Sequence, residues 1–276
     1  MGIPTGGGNG SQTFESSANY TEDITIIGDG ENLVGYNTDG ETDVLNRSAK
    51  QLANNCNLLY NDHIRSSTAV STSVTKSLYT LLSEIEGKVI NYDYQITLHT
   101  NQFLGNTIEV KNICGAGTLT IDFGGYQFTT ITGGQPYGIK FSNCNMSKII
   151  LKNGTIDDGA GGNLTDIVGF EDCPGIIQIN DFTTKHKALG AGVNHYYFNR
   201  CGKVIIYDNT AEYGTNGIQA SRFTHVLSYS NGVVLATDPT GYGMIADNGA
   251  VITKGDSGQF TGSTADENTA TGGIIR

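Results

Sequence analysis

Four carboxylates are the residues of this sequence that could carry acid–base chemistry. Cleavage of a glycosidic bond needs two Asp or Glu side chains, one to donate a proton and one to act as base or nucleophile. Most of the Asp and Glu residues in the second half of the chain have a simpler interpretation as turn residues or ion-pair partners. The candidates that remain are Asp157, Asp158, Glu171 and Glu212. They leave a polysaccharide hydrolase or lyase as an alternative, although no nucleophile, phosphate-binding or dinucleotide-binding motif accompanies them.

A row of polar and aromatic side chains is the second candidate site. Tyr207 and Tyr229 hold the same position in consecutive copies of a repeat described below, in line with Lys152 and Asn180. An aromatic ring beside amide and ammonium groups suits the apolar face and the hydroxyls of a sugar. The same row would also suit packing against a neighbouring subunit. These four residues are therefore candidates for glycan binding or for subunit contact.

The cysteines and histidines do not indicate a metal site. Four of the five cysteines recur at the spacing of the repeat, and a straight row of thiols cannot converge on a tetrahedral ion. They are Cys114, Cys144, Cys173 and Cys201. No signal peptide is recognisable at the N-terminus, so we expect synthesis in the cytoplasm, with reduced, buried thiols. We expect His186 and His195 in a solvated loop, and we expect no metal and no cofactor.

A repeat in the second half of the chain positions these side chains. Residues 137–144 and 242–249 match position by position, and residues 168–173, 196–201 and 218–223 fill the same template. Each copy, about 22–30 residues long, continues into a short strand of alternating apolar residues, which is typical of a parallel β-helix. The sequence predicts a mainly β fold with about six such rungs over residues 89–260. A β-sandwich is the alternative.

The repeat also predicts which residues stack. One inward row is expected to contain Phe141, Phe170, Phe198 and Ala220, beside the row of four cysteines continued by Phe223. A row of turns tolerant of left-handed backbone is expected at Asp122, Asn153, Asp181, Asn209 and Asn231.

A segment without glycine or proline, between Gly40 and Gly87, precedes the repeat. Its apolar residues recur at steps of three and four, which predicts an α-helical coiled coil over residues 43–88 that joins three chains. The side chains predicted at the trimer interface are Leu45, Ala49, Leu52, Cys56, Leu59, Val74, Leu78, Leu81 and Ile85. A helical hairpin that packs on its own chain is the alternative. We expect residues 1–42 to form a flexible tether and a short hairpin, as a small anchor, and residues 261–276 to form a Gly/Thr-rich tail.

Composition and charge limit the partners. The 276 residues include 38 glycines, only 16% are charged, and the net charge is −11. A chain this acidic repels nucleic acid and anionic lipid, and no stretch is apolar enough to span a bilayer, so we expect neither nucleic-acid binding nor membrane insertion. Abundant glycine with few charges favours strands and tight turns.

The order of tether, coil and β-helix resembles tail fibre and tailspike proteins of tailed bacteriophages. Residues Leu45-Asn-Arg-Ser-Ala-Lys-Gln-Leu-Ala53 resemble their virion-proximal segment, and Cys114-Gly-Ala-Gly-Thr-Leu-Thr-Ile-Asp122 resembles the opening rung of their β-helices. The resemblance implies a single-stranded right-handed β-helix and a homotrimer in the virion tail. It also implies attachment to the baseplate or tail through the N-terminus and contact with host surface polysaccharide or receptor through the β-helix. A capsule or lipopolysaccharide depolymerase, and an adaptor that carries another fibre on its C-terminal tail, are the alternatives within this class.

Overall fold

The computed structural model describes residues 10–14, 24–28, 67–73, 76–104, 108–130, 137–158, 165–186, 193–234, 241–255 and 258–276. The chain divides into two compact units, Met1–Arg65 and Ser66–Arg276. The predicted interface residues Leu45, Ala49, Leu52, Cys56, Leu59 and Val74 lie outside the described residues.

Two strands are described in the first unit. Gly10–Phe14 (β1) and Ile24–Gly28 (β2) pair antiparallel, with Gly10 opposite Gly28. The segment expected to be a flexible tether therefore supplies a strand. Composition did not reveal it, because Ser, Thr and Phe are as compatible with an extended strand as with a linker.

The second unit is a parallel β-solenoid of about six turns. Its strands stack in three faces, where the repeat had indicated only two strands in each rung. Face 1 stacks β3 (Ser67–Ser71), β4 (Asp93–Thr97), β7 (Cys114–Asp122), the first parts of β10 (Asn145–Asp157) and β12 (Ile176–His186), β14 (Lys203–Tyr207), β17 (His225–Tyr229), β20 (Val251–Lys254) and β22 (Ile274–Ile275). Face 2 stacks β5 (Gln102–Leu104), β8 (Gln127–Thr130), the second parts of β10 and β12, β15 (Thr210–Tyr213) and β18 (Gly232–Val234). Face 3 stacks β6 (Ile108–Lys111), β9 (Tyr137–Ser142), β11 (Asp166–Glu171), β13 (Asn194–Asn199), β16 (Asn216–Ser221), β19 (Tyr242–Ala246) and β21 (Ala265–Thr269).

The predicted aromatic row is confirmed. Phe141, Phe170, Phe198 and Ala220 pair in successive strands of face 3, and all four are fully buried. The rings of Phe141 and Phe170 lie 4.9 Å apart at 10°, and those of Phe170 and Phe198 lie 5.8 Å apart at 18°. Near-parallel rings at this spacing add a specific contribution to the burial of apolar surface.

The predicted cysteine row is wrong at both ends. Cys144, Cys173 and Cys201 are buried, but Cys114 is half-buried, and Ile113 fills the equivalent interior place one rung earlier. At the other end Phe223 is 84% exposed, because a tight turn directs it outward, and the buried Thr224 follows instead.

The buried thiols donate weak hydrogen bonds to backbone carbonyl oxygens inside the core, for example Cys201 Sγ to that of Asn199 at 3.5 Å. The four cysteines in the described part of the chain are free. The neighbouring Cys173 thiol and burial raise the pKa of Cys144 far above its usual range, so that thiol stays protonated. Thr224 takes over the same role in the next rung, where its Oγ1 donates to the Ser221 carbonyl oxygen at 2.7 Å.

The predicted row of turns separates into two rows. The left-handed positions between faces 1 and 2 are Asn153, Asp181, Asp208 and Ser230, and Gly124 and Gly125 make the turn after Asp122. Asn209 and Asn231 were assigned to the turns incorrectly, since each follows the left-handed residue and is buried. Asn209 Nδ2 donates to the Ile179 carbonyl oxygen at 2.9 Å, and Asn231 Nδ2 donates to that of Ile206 at 3.1 Å. They form an internal asparagine ladder that satisfies buried polar groups.

One helix, Leu78–Ile85 (α1), packs on the interior of the solenoid. Ser77 caps it, accepting the Thr80 N–H at 3.2 Å, as expected for an N-cap serine. The predicted interface residues Leu78, Leu81 and Ile85 are at most 4% exposed, because they contact the core of their own chain. The helix therefore closes hydrophobic surface within one chain, and trimer formation stays a prediction.

The C-terminal residues extend the solenoid beyond its predicted end. Strand β21 pairs with β19, and β22 pairs with β20, so residues 261–276 form a further rung rather than a loose tail. An adaptor role would then depend on docking to this rung. Within the part of the chain that the structure describes, no helix has the length and apolar character needed to cross a membrane.

Candidate functional site

The four predicted glycan-binding residues lie in one outward column on face 1. Lys152 pairs with Asn180, Asn180 with Tyr207, and Tyr207 with Tyr229. At about 4.8 Å per rung, the column runs about 14 Å across four consecutive strands. The repeat therefore brought together side chains that are up to 77 positions apart, from residue 152 to residue 229, in the sequence.

Neighbouring groups hold this column in place. Gln178 Nε2 donates to Tyr207 Oη at 3.1 Å and to Asn180 Oδ1 at 3.2 Å, and Lys152 Nζ lies 3.1 Å from an oxygen of Asp122. Asn180 is only 8% exposed, so it supports the column more than it offers a contact. The supporting groups were missed in the sequence, although Gln178 stands two residues before Asn180 and so shares its face of the strand.

Tyr229 lies directly against a glycine of the next rung. A Cβ atom on Gly255 would come within 2.1 Å of Tyr229 Cδ1, so only glycine leaves room for the ring. Fixed rings bind with a smaller loss of side-chain entropy than mobile ones. The ring of Tyr229 is thus held in place by the rung that follows it.

A groove of about 480 Å³ lies on face 1 toward the N-terminal end of the solenoid. Its lining residues are Ala69, Asp93, Tyr94, Gln95, Thr118, Thr120, Lys148 and Ile150. Thr120 stands between Gln95 and Ile150 in the strand register, and the lining residues come from four strands of face 1. Its volume falls within the range of small-ligand sites, and its hydroxyl, amide, carboxylate and ammonium groups match polar ligands.

Two of the four candidate carboxylates share an outward column on face 2. Asp157 pairs with Lys185, and Lys185 pairs with Glu212, so the carboxylates are two rungs apart, or about 9.6 Å. Lys185 Nζ lies 2.9 Å from Glu212 Oε2, and Asp157 is 3% exposed and accepts a hydrogen bond from Gln127 Nε2 at 3.2 Å. The separation is near the upper limit for an inverting glycosidase. However, Lys185 stands between the two carboxylates, where sugar and water would have to bind.

Asp158, the third candidate, is inside the solenoid. Its carboxylate pairs with His186 Nδ1, and both side chains are completely buried. Next to this pair, His195 Nδ1 accepts from Thr184 Oγ1 at 2.8 Å, and His195 Nε2 donates to the Tyr213 carbonyl oxygen at 2.6 Å. Burial lowers the pKa of His195 to about 4, so its ring is neutral near pH 7. The expectation that both histidines are solvated was wrong, because they occupy inward positions of their strands.

Glu171, the fourth candidate, lies on face 3 among cations. Its oxygens lie 2.8 Å from Lys140 Nζ and 3.7 Å from Arg200 Nη2, and the bonded Lys140 is the main reason that the pKa of Glu171 is lowered. Arg200 also pairs with Asp172, at 2.6 Å. Glu171 therefore has structural partners that hold its charge.

Asp166, on the same strand as Glu171, is a titratable group that the sequence did not single out. Burial raises its pKa to about 6, although its Oδ1 accepts from Asn194 Nδ2 at 2.8 Å. Two carboxylates whose pKa values are shifted in opposite directions are typical of an acid–base pair. They lie five positions apart on one strand, and the charge of Glu171 is one of the causes that raise the pKa of Asp166. The charge of Glu171 is, however, already bound by Lys140 and Arg200.

The described residues thus contain an ordered outward column on face 1, and the four candidate carboxylates do not share one open cleft. Within the described ranges, no group of three or more His, Cys, Asp or Glu residues could hold a metal ion. The fold places the chain in the structural class of parallel β-solenoids. No family model, curated protein or solved structure matches the chain.

Proposed function

We propose that this protein is a tail fibre or short tailspike of a tailed bacteriophage, which binds a saccharide of the host cell surface through face 1. The observation that supports this proposal is the outward column of Lys152, Asn180, Tyr207 and Tyr229, held in place by Gln178 and Gly255. The N-terminal residues 1–42 would attach the protein to the baseplate or tail. The virion would be its final location, after synthesis in the host cytoplasm.

A stacked solenoid suits such a role because its strands present side chains at a fixed repeat. Sugar rings would stack on the tyrosines, and their hydroxyls would bond to Lys152 and Gln178. A single shallow site of this kind binds weakly. Three copies joined by the coiled coil would act together, and avidity could raise the overall affinity by a factor of about 10²–10⁴.

Binding is favoured over cleavage by the positions of the carboxylates. Asp158 is enclosed in the core, Asp157 and Glu212 have Lys185 between them, and Glu171 lies on another face. A depolymerase would need two carboxylates that flank one open cleft. We therefore propose an attachment protein rather than a hydrolase or lyase.

Removal of both tyrosine rings is expected to weaken attachment to host cells. The double substitution Tyr207→Ala and Tyr229→Ala should reduce binding about 100-fold, if each ring contributes about 1.4 kcal/mol. Flow cytometry of the fluorescently labelled full chain on a panel of bacterial strains measures the effect. Tyr79→Ala is the matched control, because Tyr79 is 45% exposed on helix α1, away from the column. Equal binding of the double variant and the wild type would contradict the proposed site.

The assembled protein is expected to be a trimer. Light scattering should give a molar mass about three times the 29.3 kDa of the chain. A Leu52→Asp substitution in the predicted coil should reduce the mass to that of a monomer, because a charge at a seam position opposes association. Substitutions at Leu81 or Ile85 would not test trimer formation, because both side chains are buried in the core of their own chain. A monomeric wild type would refute the coiled coil.

A further inference from the structure

Phe223 is an aromatic side chain in an unusual position. It is 84% exposed and stands at the corner between faces 3 and 1. Its φ angle is 64°, and that of the preceding Arg222 is 54°, so both residues adopt left-handed backbone. Phenylalanine is usually buried and rarely adopts left-handed backbone, so neither feature is explained by a contribution to folding.

The equivalent turns in the next two rungs show what folding alone selects. There the two left-handed residues are Asn248 and Gly249 (φ 48° and 78°), and then Thr271 and Gly272 (φ 49° and 78°). Glycine adopts this backbone readily, whereas another L-residue is destabilised by about 1–2 kcal/mol. Strain that persists at one site in a regular repeat points to a function of the side chain held there.

The surroundings of Phe223 form a shallow groove. A Cβ atom on Gly249 would lie 2.8 Å from Phe223 Cε1, so the ring rests on the glycine of the next rung. The groove measures about 450 Å³ and is lined by Arg222, Phe223, Asn248, Gly249 and Thr271. Asn248 Nδ2 donates to Asp247 Oδ1 at 3.2 Å, which orients its amide group.

We propose that this corner is a second saccharide site, in which a sugar ring stacks on Phe223 and its hydroxyl or acidic substituents bond to Arg222, Asn248 and Thr271. The inference rests on the proposed attachment to host saccharide and adds a site to it. One aromatic platform beside a guanidinium, an amide and a hydroxyl supplies the two kinds of contact that a pyranose needs.

The composition of the groove favours a saccharide over a protein partner. A stable protein interface buries about 800 Å² on each side and has several apolar or aromatic anchors around its centre. Phe223 is the sole large apolar side chain among the five lining residues, and its neighbours there are polar or glycine. The volume of the groove lies in the range of small-ligand sites.

A glycan array of bacterial surface oligosaccharides, probed with the full chain, tests this site. Phe223→Gly copies the turn of the next rung, so it should weaken binding at least tenfold while the melting temperature stays constant or rises by about 2–4 °C. Phe223→Tyr keeps the ring and should retain binding. Unchanged binding of Phe223→Gly, or a lower melting temperature, would overturn the proposal. A changed molar mass would also overturn it, because Phe223 would then be a contact between copies.

The same array separates this site from the column on face 1. If only the Tyr207→Ala and Tyr229→Ala double variant loses binding, the column stands and the Phe223 site falls. If Phe223→Gly alone loses binding, the Phe223 site stands and the column is refuted. A wild type that binds no saccharide on the array would overturn both.

Discussion

Replacement of Phe170 by alanine is expected to lower the free energy of unfolding by about 3–5 kcal/mol. The side chain is completely buried, and its ring is stacked between Phe141 at 4.9 Å and Phe198 at 5.8 Å. Alanine would remove the transfer free energy of the ring and leave a cavity between two fixed neighbours. Strands hydrogen-bonded above and below limit how far the backbone can move to close it, so the loss should lie toward the upper end of the range.

Urea unfolding followed by far-UV circular dichroism measures this loss. Phe170→Leu, which keeps most of the apolar volume, should lose about 1–2 kcal/mol and remain folded even if Phe170→Ala does not. Phe103→Ala is the matched control, because Phe103 is 65% exposed and the same chemical change there should lower stability by less than about 1 kcal/mol. Equal effects at residues 103 and 170 would show that the stack does not stabilise the solenoid.

The sequence revealed these stacks because equivalent residues in a solenoid meet directly. The row of Phe141, Phe170 and Phe198 and the column of Tyr207 and Tyr229 follow from aligning the copies, since register in adjacent rungs is fixed by the shared apolar pattern. Wherever one rung repeats the previous one, alignment predicts contact.

Face 2 was not predicted, because its strands are short and its connections vary in length. Strands β15 and β18 contain four and three residues, too few for a clear alternation of apolar and polar positions. The first residue of the predicted cysteine row was also misaligned. Cys114 was aligned with the other cysteines by residue type, although Ile113 provides the buried side chain.

The two-residue turn of Arg222 and Phe223 explains why Phe223, predicted to lie in the inward row, is exposed. Turns at this corner contain one left-handed residue at Asp172 and Arg200, but two in the following rung. The additional residue moves Phe223 outward and lets Thr224 enter the core. A single sequence gives no sign of this change, because phenylalanine rarely adopts left-handed backbone.

The roles of Asp166 and His195 also required the structure, because their surroundings come from another rung or another face. Asn194, which bonds to Asp166, is 28 residues away, and Thr184, which bonds to His195, belongs to another face. Both groups are removed from water by neighbours that local sequence cannot identify. Their pKa values are shifted in opposite directions, with a consequence for acid stability.

We expect His195 and Asp166 together to change the free energy of unfolding little between about pH 4 and pH 6. Burial lowers the pKa of His195 from 6.5 to about 4, so below pH 6.5 the unfolded chain binds a proton that the folded chain does not. Between pH 6 and pH 4 this linkage destabilises the fold by about 2 kcal/mol. The adjacent His186 also lowers the pKa of His195.

Asp166 opposes this effect. Burial raises its pKa from 3.8 to about 6, so in this window the folded chain binds a proton that the unfolded chain does not. Its contribution to stability is present below pH 3.8 and is lost as the pH rises through 6. Because the carboxylate is only partly buried, we expect about 2 kcal/mol from it.

Single substitutions should separate the two contributions. Asp166→Asn keeps an oxygen for Asn194 but does not titrate, so this variant should lose about 2 kcal/mol more than the wild type between pH 6 and pH 4. His195→Gln should instead gain stability relative to the wild type, by about 2 kcal/mol, over the same fall in pH. Urea unfolding at pH 4, 5, 6 and 7 measures both slopes, and the difference from wild type cancels the contributions of all other groups. Parallel pH profiles for the three proteins would mean that neither group changes its proton affinity on folding. Opposite slopes would identify a buried base and a buried acid, on different strands, that compensate each other across the acid range.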